Sequence, residues 1–341
     1  MPMTEPRPRW PAEWEPRQAS LLAWPGVHPW TGQIDPELLA LYCQLIGLLR
    51  QYEPLRLLVP PDQRASVGSL LGGEDESLKL EPLLCNDIWM RDCGPIGLYE
   101  ADGKAVWLDG GFNGWGNKYP HELDALLPKV LARRWGQRLI RLPIRLEGGA
   151  IEGNGQGDLL TTSAVVLNPN RGNRGQDQVE GALRKHFGVD RIHWLDQGLA
   201  CDHTDGHIDN LARFISARRI VCLAPGRPGE HPDHATLLAN RRTLSDLLLA
   251  DGPAEIIELP TVLLRGPEGR HLPASYCNFH IAPGLVLVPT FGDNHDLAAD
   301  DRALGIFRDL FPQHRVEGLD ARCLVAQGGG LHCITQALLL D

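Results

Sequence analysis

The order of apolar and polar positions divides the chain into two alternating kinds of segment. Residues 35–52 (DPELLALYCQLIGLLRQY) place leucines and isoleucine at helical spacing, behind Asp35 as an N-cap and Pro36 in the first turn. Residues 121–135, 176–188, 234–250 and 296–311 show the same period, so the pattern predicts five helices, with Pro128 starting or kinking the second. Between them lie β-rich runs punctuated by glycine: DCGPIGLYEADGKAVWLD, EGGAIEGNGQGDLLTTSAVVLN, GHIDNLARFISARRIVCLA, SYCNFHIAPGLVLVPTF and GGGLHCITQALL. Most read as two strands joined by a turn, with ADGK, GNGQGD, SARR and APGL as tips. Alternating hairpins and helices predict an α/β architecture. Five similar units recurring at roughly 50–70 residues, each too small to bury its own core, suggest a closed ring of repeats within one domain, 1–341.

Composition changes this picture only by exclusion. No apolar run is long enough to span a bilayer, and the Pro-rich polar start lacks the apolar core of a signal peptide, so a cytoplasmic location is expected. The net charge of −10 disfavours nucleic acid, which demands a clustered positive surface, and suits a small cationic ligand. None of the eight cysteines forms a C-x-x-C pair, which removes zinc-ribbon and thioredoxin-type readings; most are expected to be buried thiols. The oligomeric state is open, with a homodimer as the working expectation.

Four stretches carry candidate chemistry. In NDIWMRDCGP (86–95), Asp87, Trp89, Arg91 and Asp92 precede a Gly-Pro turn. Carboxylates and an indole suit a flat cation, through paired hydrogen bonds and a π face; the plain alternative is a polar turn with Arg91 paired to an aspartate. In LEGGAIEGNG (146–155), Glu147 precedes two glycines that allow a close approach, or simply a bulge beside an exposed glutamate. In CDHTDGHIDN (201–210), His203, Asp205, His207 and Asp209 share one face if the segment is extended. They could then bind a metal, or form an acid/base histidine with ligand-binding carboxylates. In QGGGLHCITQ (327–336), Cys333 follows three glycines and precedes a strand; it is either a buried thiol or a nucleophile. His332 would point to the opposite face of such a strand, which makes His207 the better partner for Cys333.

Taken in order from Trp10 to Gln336, NDIWMRDCGP, GGFNGWGNKYP, LEGGAIEGNGQGDLLTT, LNPNRGN, DHTDGHIDN, SYCNFHI and GGGLHCITQ resemble the agmatine deiminase family, related to the porphyromonad-type peptidylarginine deiminases. The resemblance implies a pentein fold: a five-bladed α/β propeller of pseudo-repeats around a central active site, using neither metal nor organic cofactor. It implies Cys333 as nucleophile, His207 as acid/base, and Asp92 and Asp209 as guanidinium-binding carboxylates. Trp89, Glu147 and Trp115 would line the pocket, and Gly329 would clear room for the substrate stem. The expected activity is hydrolysis of agmatine to N-carbamoylputrescine and ammonia through an amidino-cysteine. Arginine, methylated arginine or peptidyl-arginine remain as alternative substrates, and transfer to an amine as an alternative outcome. A metal-dependent hydrolase built on His203, Asp205, His207 and Asp209 is the alternative from another class.

Overall fold

In the computed structural model, residues 7–26, 34–266, 269–292 and 297–340 are described. Among them, five sheets of three or four strands share one local plan, alongside a two-stranded ribbon. A short strand pairs antiparallel with a second; a helix follows; a third strand returns parallel to the second. The first such unit is Ile96–Tyr99, Ala105–Asp109, helix Leu127–Trp135 and Leu139–Arg141. The second is Ile151–Gly153, Asp158–Thr162, helix Gln176–Phe187 and Arg191–Leu195. The third is Ala212–Phe214, Arg219–Leu223, helix His234–Ser245 and Glu255–Leu259. The fourth is His280–Ala282, Leu285–Thr290, helix Leu297–Leu310 and Arg315–Asp320.

The fifth unit joins the two ends of the chain. Gln336–Leu338 pairs antiparallel with Ala19–Ala23, which pairs parallel with Leu55–Val59 across helix Pro36–Leu49; Leu78–Pro82 adds a fourth strand. The expected fifth hairpin is therefore not local. Its second strand lies near the start of the chain, and residues 331–334 are a turn rather than strand. The whole is a mixed α/β fold.

The helices follow their local signals closely. The carboxylate of Asp35 accepts from Glu37 N and Leu38 N at 2.8 and 3.2 Å, capping the first helix as its position suggested. Pro128 lies in the first turn of its helix, where the missing N–H costs nothing, so it starts the helix rather than kinking it. The helix expected over 234–250 stops at Ser245, and Leu248–Leu249 turns into the two-stranded ribbon. Asp296, at the start of the last expected helix, lies outside the described residues. Among the described residues no helix is long and apolar enough to cross a membrane.

The second strands are buried along most of their length, Ala105–Asp109 and Asp158–Thr162 throughout and Arg219–Leu223 and Leu285–Thr290 at all but one end residue. The apolar interior falls into three clusters, one of which unites the first and last strands of the chain with Trp107 and Leu131. Trp107 is fully buried, packs edge-on to Trp135 at 5.7 Å, and donates its indole N–H to Leu339 O at 2.7 Å, tying the first unit to the C-terminal strand. Replacing it with alanine removes both packing and a buried bond. Trp107→Ala is expected to cost about 3–5 kcal/mol in denaturant unfolding.

Candidate functional site

Each of the five units sends one turn, placed just before its first strand, to a common meeting point. These turns are Met90–Cys93, Gly148–Ala150, Ile208–Asn210, residues 276–278 and residues 331–334. They deliver Asp92, Glu147, His207 with Asp209, Asn278 and Cys333. All are nearly or completely buried, His207 and Asp209 at 0 % exposure. The sequence-nominated catalytic set is thus brought together, although its members lie as much as 241 residues apart (92 to 333).

The backbone makes room for this crowding. A Cβ on Gly149 would lie 2.6 Å from His207 Nδ1 and 2.8 Å from Asp92 Oδ1, so only glycine lets its N–H reach Asp92 Oδ1, at 2.9 Å. The other oxygen of Asp92 accepts from Trp115 Nε1 at 2.9 Å. Trp115 holds φ of +53°, an uncommon conformation for a bulky side chain, in the loop after Asn113. It is braced edge-on by Phe112 at 4.9 Å and Tyr119 at 5.6 Å. Trp89, Trp115, Asp92 and Cys333 face a cavity of about 40 Å³, with Tyr119 and His203 on its wall. Gly329 also lines it, and it has a structural reason to be glycine besides the one expected. A Cβ there would run into the Trp89 ring, so the glycine makes room for the indole.

The third stretch departs from the sequence expectation. Residues 201–206 form turns, with Asp205 and Gly206 at φ of +75° and +106°, and are not extended. The four side chains therefore do not share a face. His203 Nδ1 lies 2.8 Å from the Tyr119 hydroxyl, and Asp205 pairs with Lys118 at 2.6 Å and with Arg171. Only His207 and Asp209 come up against Asp92 and Cys333, while His203 stays on the cavity wall. Among the described residues no group of three or more His, Cys, Asp or Glu is arranged to hold a metal. Asp202 organises this loop, its carboxylate accepting from Thr204 N, His207 N and Asn210 Nδ2.

Electrostatics then set the protonation states. The His207 ring lies 3.7 Å from Asp92 Oδ1 and 3.8 Å from Glu147 Oε2, and neither ring nitrogen has a hydrogen-bond partner. Burial pushes its pKa down, but the charges of Asp92, Asp209 and Glu147 outweigh burial and raise it to about 9. Glu147 is not the exposed glutamate of the plainer reading. It is 2 % exposed and accepts from Arg171 Nε at 2.7 Å; burial raises its pKa, and His207 and Arg171 bring it below the ordinary range. Asp209 is likewise held low against burial, chiefly by His332 at 2.8 Å, and its Oδ1 is unpartnered. Asp92 is raised, by burial and by the neighbouring Asp209 and Glu147.

Cys333 has different neighbours from those the sequence suggested. Asn278 Nδ2 donates to its Sγ at 3.2 Å, and Asn278 Oδ1 accepts from His332 N and Cys333 N at 2.9 and 3.3 Å. Asp209 Oδ2 is 3.7 Å from the sulfur. Burial, Asp209 and Asp92 push the thiol well above its ordinary pKa. No hydrogen bond joins it to His207. His332 does turn away from the sulfur as expected, although on a turn, and its ring bridges Asp209 and Glu13. Sequence reasoning gave no role to Asn278, Arg171 or Glu13. Asn278 and Arg171 sit in SYCNFHI and LNPNRGN, runs noted only for their resemblance, and Glu13 had no signal beyond the polar start of the chain.

The model of the Porphyromonas-type peptidyl-arginine deiminase family matches residues 9–338. The chain belongs to this family. It is therefore an enzyme of a class that hydrolyses C–N bonds in linear amidines. A "Putative agmatine deiminase" from Streptomyces coelicolor is 34 % identical over 342 residues, covering 96 % of this chain and 98 % of the relative. The solved structure of a "Putative Arginine Deiminase" from Porphyromonas gingivalis matches with a TM-score of 0.89 at 36 % identity, over 97 % of this chain and 98 % of the other. A C. jejuni agmatine deiminase with substrate bound matches with a TM-score of 0.85 at 29 % identity, over 98 % and 97 %.

The charge pattern predicts how the deiminase titrates. His207 in the ligand-free chain should stay an imidazolium until about pH 9, read by NMR of labelled histidine, and Asp92→Asn should lower that midpoint. Because the folded pKa lies above the unfolded value of about 6.5, the stability His207 contributes is complete below that value and is lost as pH rises through about 9.

Proposed function

We propose that this chain is a cysteine-dependent guanidine deiminase that hydrolyses agmatine to N-carbamoylputrescine and ammonia. One observation carries the reading. Cys333 and the carboxylate of Asp92 line one small pocket, Asp209 Oδ2 lies 3.7 Å from the sulfur, and the buried Asp209 Oδ1 is left without a partner. An unpaired carboxylate oxygen at such depth is costly, and a planar cation with several N–H donors supplies what Asp209 Oδ1 lacks. On this reading the five units form a five-bladed ring in a single catalytic domain, with the substrate at its axis.

Asp92 and Asp209 orient the guanidinium, and Trp89 and Trp115 flank it. The empty site holds Cys333 as a thiol and His207 as an imidazolium. The arriving cation supplies positive charge beside the sulfur, lowers the thiol pKa, and the proton leaves to solvent. The thiolate attacks the guanidinium carbon, with Asn278 Nδ2 donating to the sulfur beforehand. His207 gives its proton to the departing nitrogen, the C–N bond breaks, and an amidino-cysteine remains. Neutral His207 then takes a proton from water as its oxygen bonds to that carbon. The C–S bond breaks, and the ureido product leaves. Glu147, pinned by Arg171, keeps His207 charged for the first half of the cycle.

The cavity also bears on which guanidine is used. Among the described residues lining it there is no lysine or arginine to receive the α-carboxylate of free arginine, whereas Asp87 adds a further carboxylate to the wall. That balance favours a second positive charge at the far end of the substrate, as in agmatine, and agrees with those relatives named as agmatine deiminases, though not with the Porphyromonas gingivalis structure named as an arginine deiminase. Ammonia release should be measured with agmatine, arginine and a blocked peptidyl-arginine, with and without EDTA, for the natural chain and Cys333→Ser. Agmatine is expected to be preferred, EDTA to have no effect, and Cys333→Ser to lose activity by at least about 10³-fold. Activity that survives Cys333→Ser but dies with EDTA would overturn the reading in favour of a metal site.

A further inference from the structure

Glu13 belongs to none of the five sheets, yet four of the five units converge on its carboxylate. Oε2 receives His332 Nε2 at 2.6 Å, Arg213 Nη2 at 2.8 Å and Arg91 Nη2 at 3.3 Å, and Oε1 accepts from Ile281 N at 3.1 Å. The side chain is 7 % exposed. It lines a second cavity of about 50 Å³ that shares no lining residue with the cavity at Cys333, so it stands apart from that cavity. Neutralising the two arginines accounts for only part of this arrangement, since Arg213 already has Glu152 at 2.7 Å.

The contact that reaches the site is the one to His332. Its ring, 1 % exposed, spans two carboxylates: Nε2 meets Glu13 and Nδ1 meets Asp209 Oδ2 at 2.8 Å. Burial opposes ionisation at both acids, but Arg213 and His332 hold Glu13 well below the ordinary range, and His332 holds Asp209 below its ordinary value. Each ring nitrogen of His332 thus faces a carboxylate oxygen, and because carboxylates accept, the geometry suits a ring that donates from both nitrogens. A carboxylate can otherwise rotate to present either oxygen. Here Oδ2 is tied down, and Oδ1, without a partner, is left free.

We propose that Glu13 is a positioning residue for the active site: through His332 it fixes the rotation and the charge of Asp209, so that Oδ1 is presented to the substrate guanidinium. The start of the chain is thereby part of the catalytic apparatus while standing apart from the cavity at Cys333. This rests on the reading of Asp209 as a guanidinium-binding carboxylate.

The test uses the full chain carrying Cys333→Ala, so that agmatine binds without turning over, and measures its Kd by calorimetry. Glu13→Gln is expected to weaken binding about tenfold or more, since a charge-assisted bond is weakened. Glu13→Asp, which keeps the charge, should recover part of the loss. Added to Asp209→Asn, Glu13→Gln should do little more, because both act on one contact. Unchanged affinity in Glu13→Gln, or losses that multiply in the double variant, overturns the proposal in favour of a structural salt bridge. Should Glu13→Gln fail to fold, ¹⁵N NMR of the natural chain decides: two protonated nitrogens on His332 at neutral pH are expected, and a singly protonated ring overturns the relay. If the Cys333→Ala parent binds no agmatine while His332 is doubly protonated, the substrate reading falls and the relay stands.

Discussion

Three carboxylates, Asp92, Glu147 and Asp209, are buried within one small volume, and every other feature of the site answers to that fact. Ionised groups at such depth persist only if each is paired and hydrogen-bonded. The chain meets this requirement from outside the pocket: Arg171 holds Glu147, His332 holds Asp209, and the N–H groups of Gly149 and Trp115 hold Asp92. What remains is negative charge facing inward, with the His207 ring 3.7 Å from Asp92 and 3.8 Å from Glu147. Burial and this field raise the thiol of Cys333, and the field outweighs burial to raise the imidazole of His207. On the reading proposed above, the substrate cation both balances this field and activates the sulfur.

Geometry follows from repetition. A turn that precedes a buried first strand is a good place for a functional side chain, because the strand fixes its base while the turn frees its direction. Here the same position recurs in five units, so five short turns supply the whole set with no long excursion of the chain. The strand Gln336–Leu338 is held by Ala19–Ala23, and so the placement of Cys333 depends on the far end of the sequence. The link from Glu13 to His332 repeats that dependence in the charged interior.

Much of this was legible in the sequence. Four hairpins and five helices follow from periodicity and turn residues, and Asp92, Glu147, His207, Asp209 and Cys333 stood out as a chemically coherent set. Three things were hidden, each for a physical reason. The fifth sheet pairs strands from opposite ends of the chain, and no local pattern reports a partner that distant. The alternation of His203, Asp205, His207 and Asp209 suggested an extended strand, but Asp205 and Gly206 turn the backbone with positive φ, which spacing alone does not reveal. The pairings of Asn278 with Cys333 and of Glu13 with His332 are set by packing across the centre of the fold, and neither residue has a neighbour in sequence that would announce it.

The central claim is that Cys333 bonds to the guanidinium carbon during turnover. Acid-quenching the chain while it consumes agmatine, followed by peptide mass spectrometry, tests this most directly. The account predicts that the peptide containing Cys333 gains the mass of agmatine less ammonia, and that the adduct disappears once substrate is exhausted. Sustained ammonia release with Cys333 unmodified throughout would contradict it.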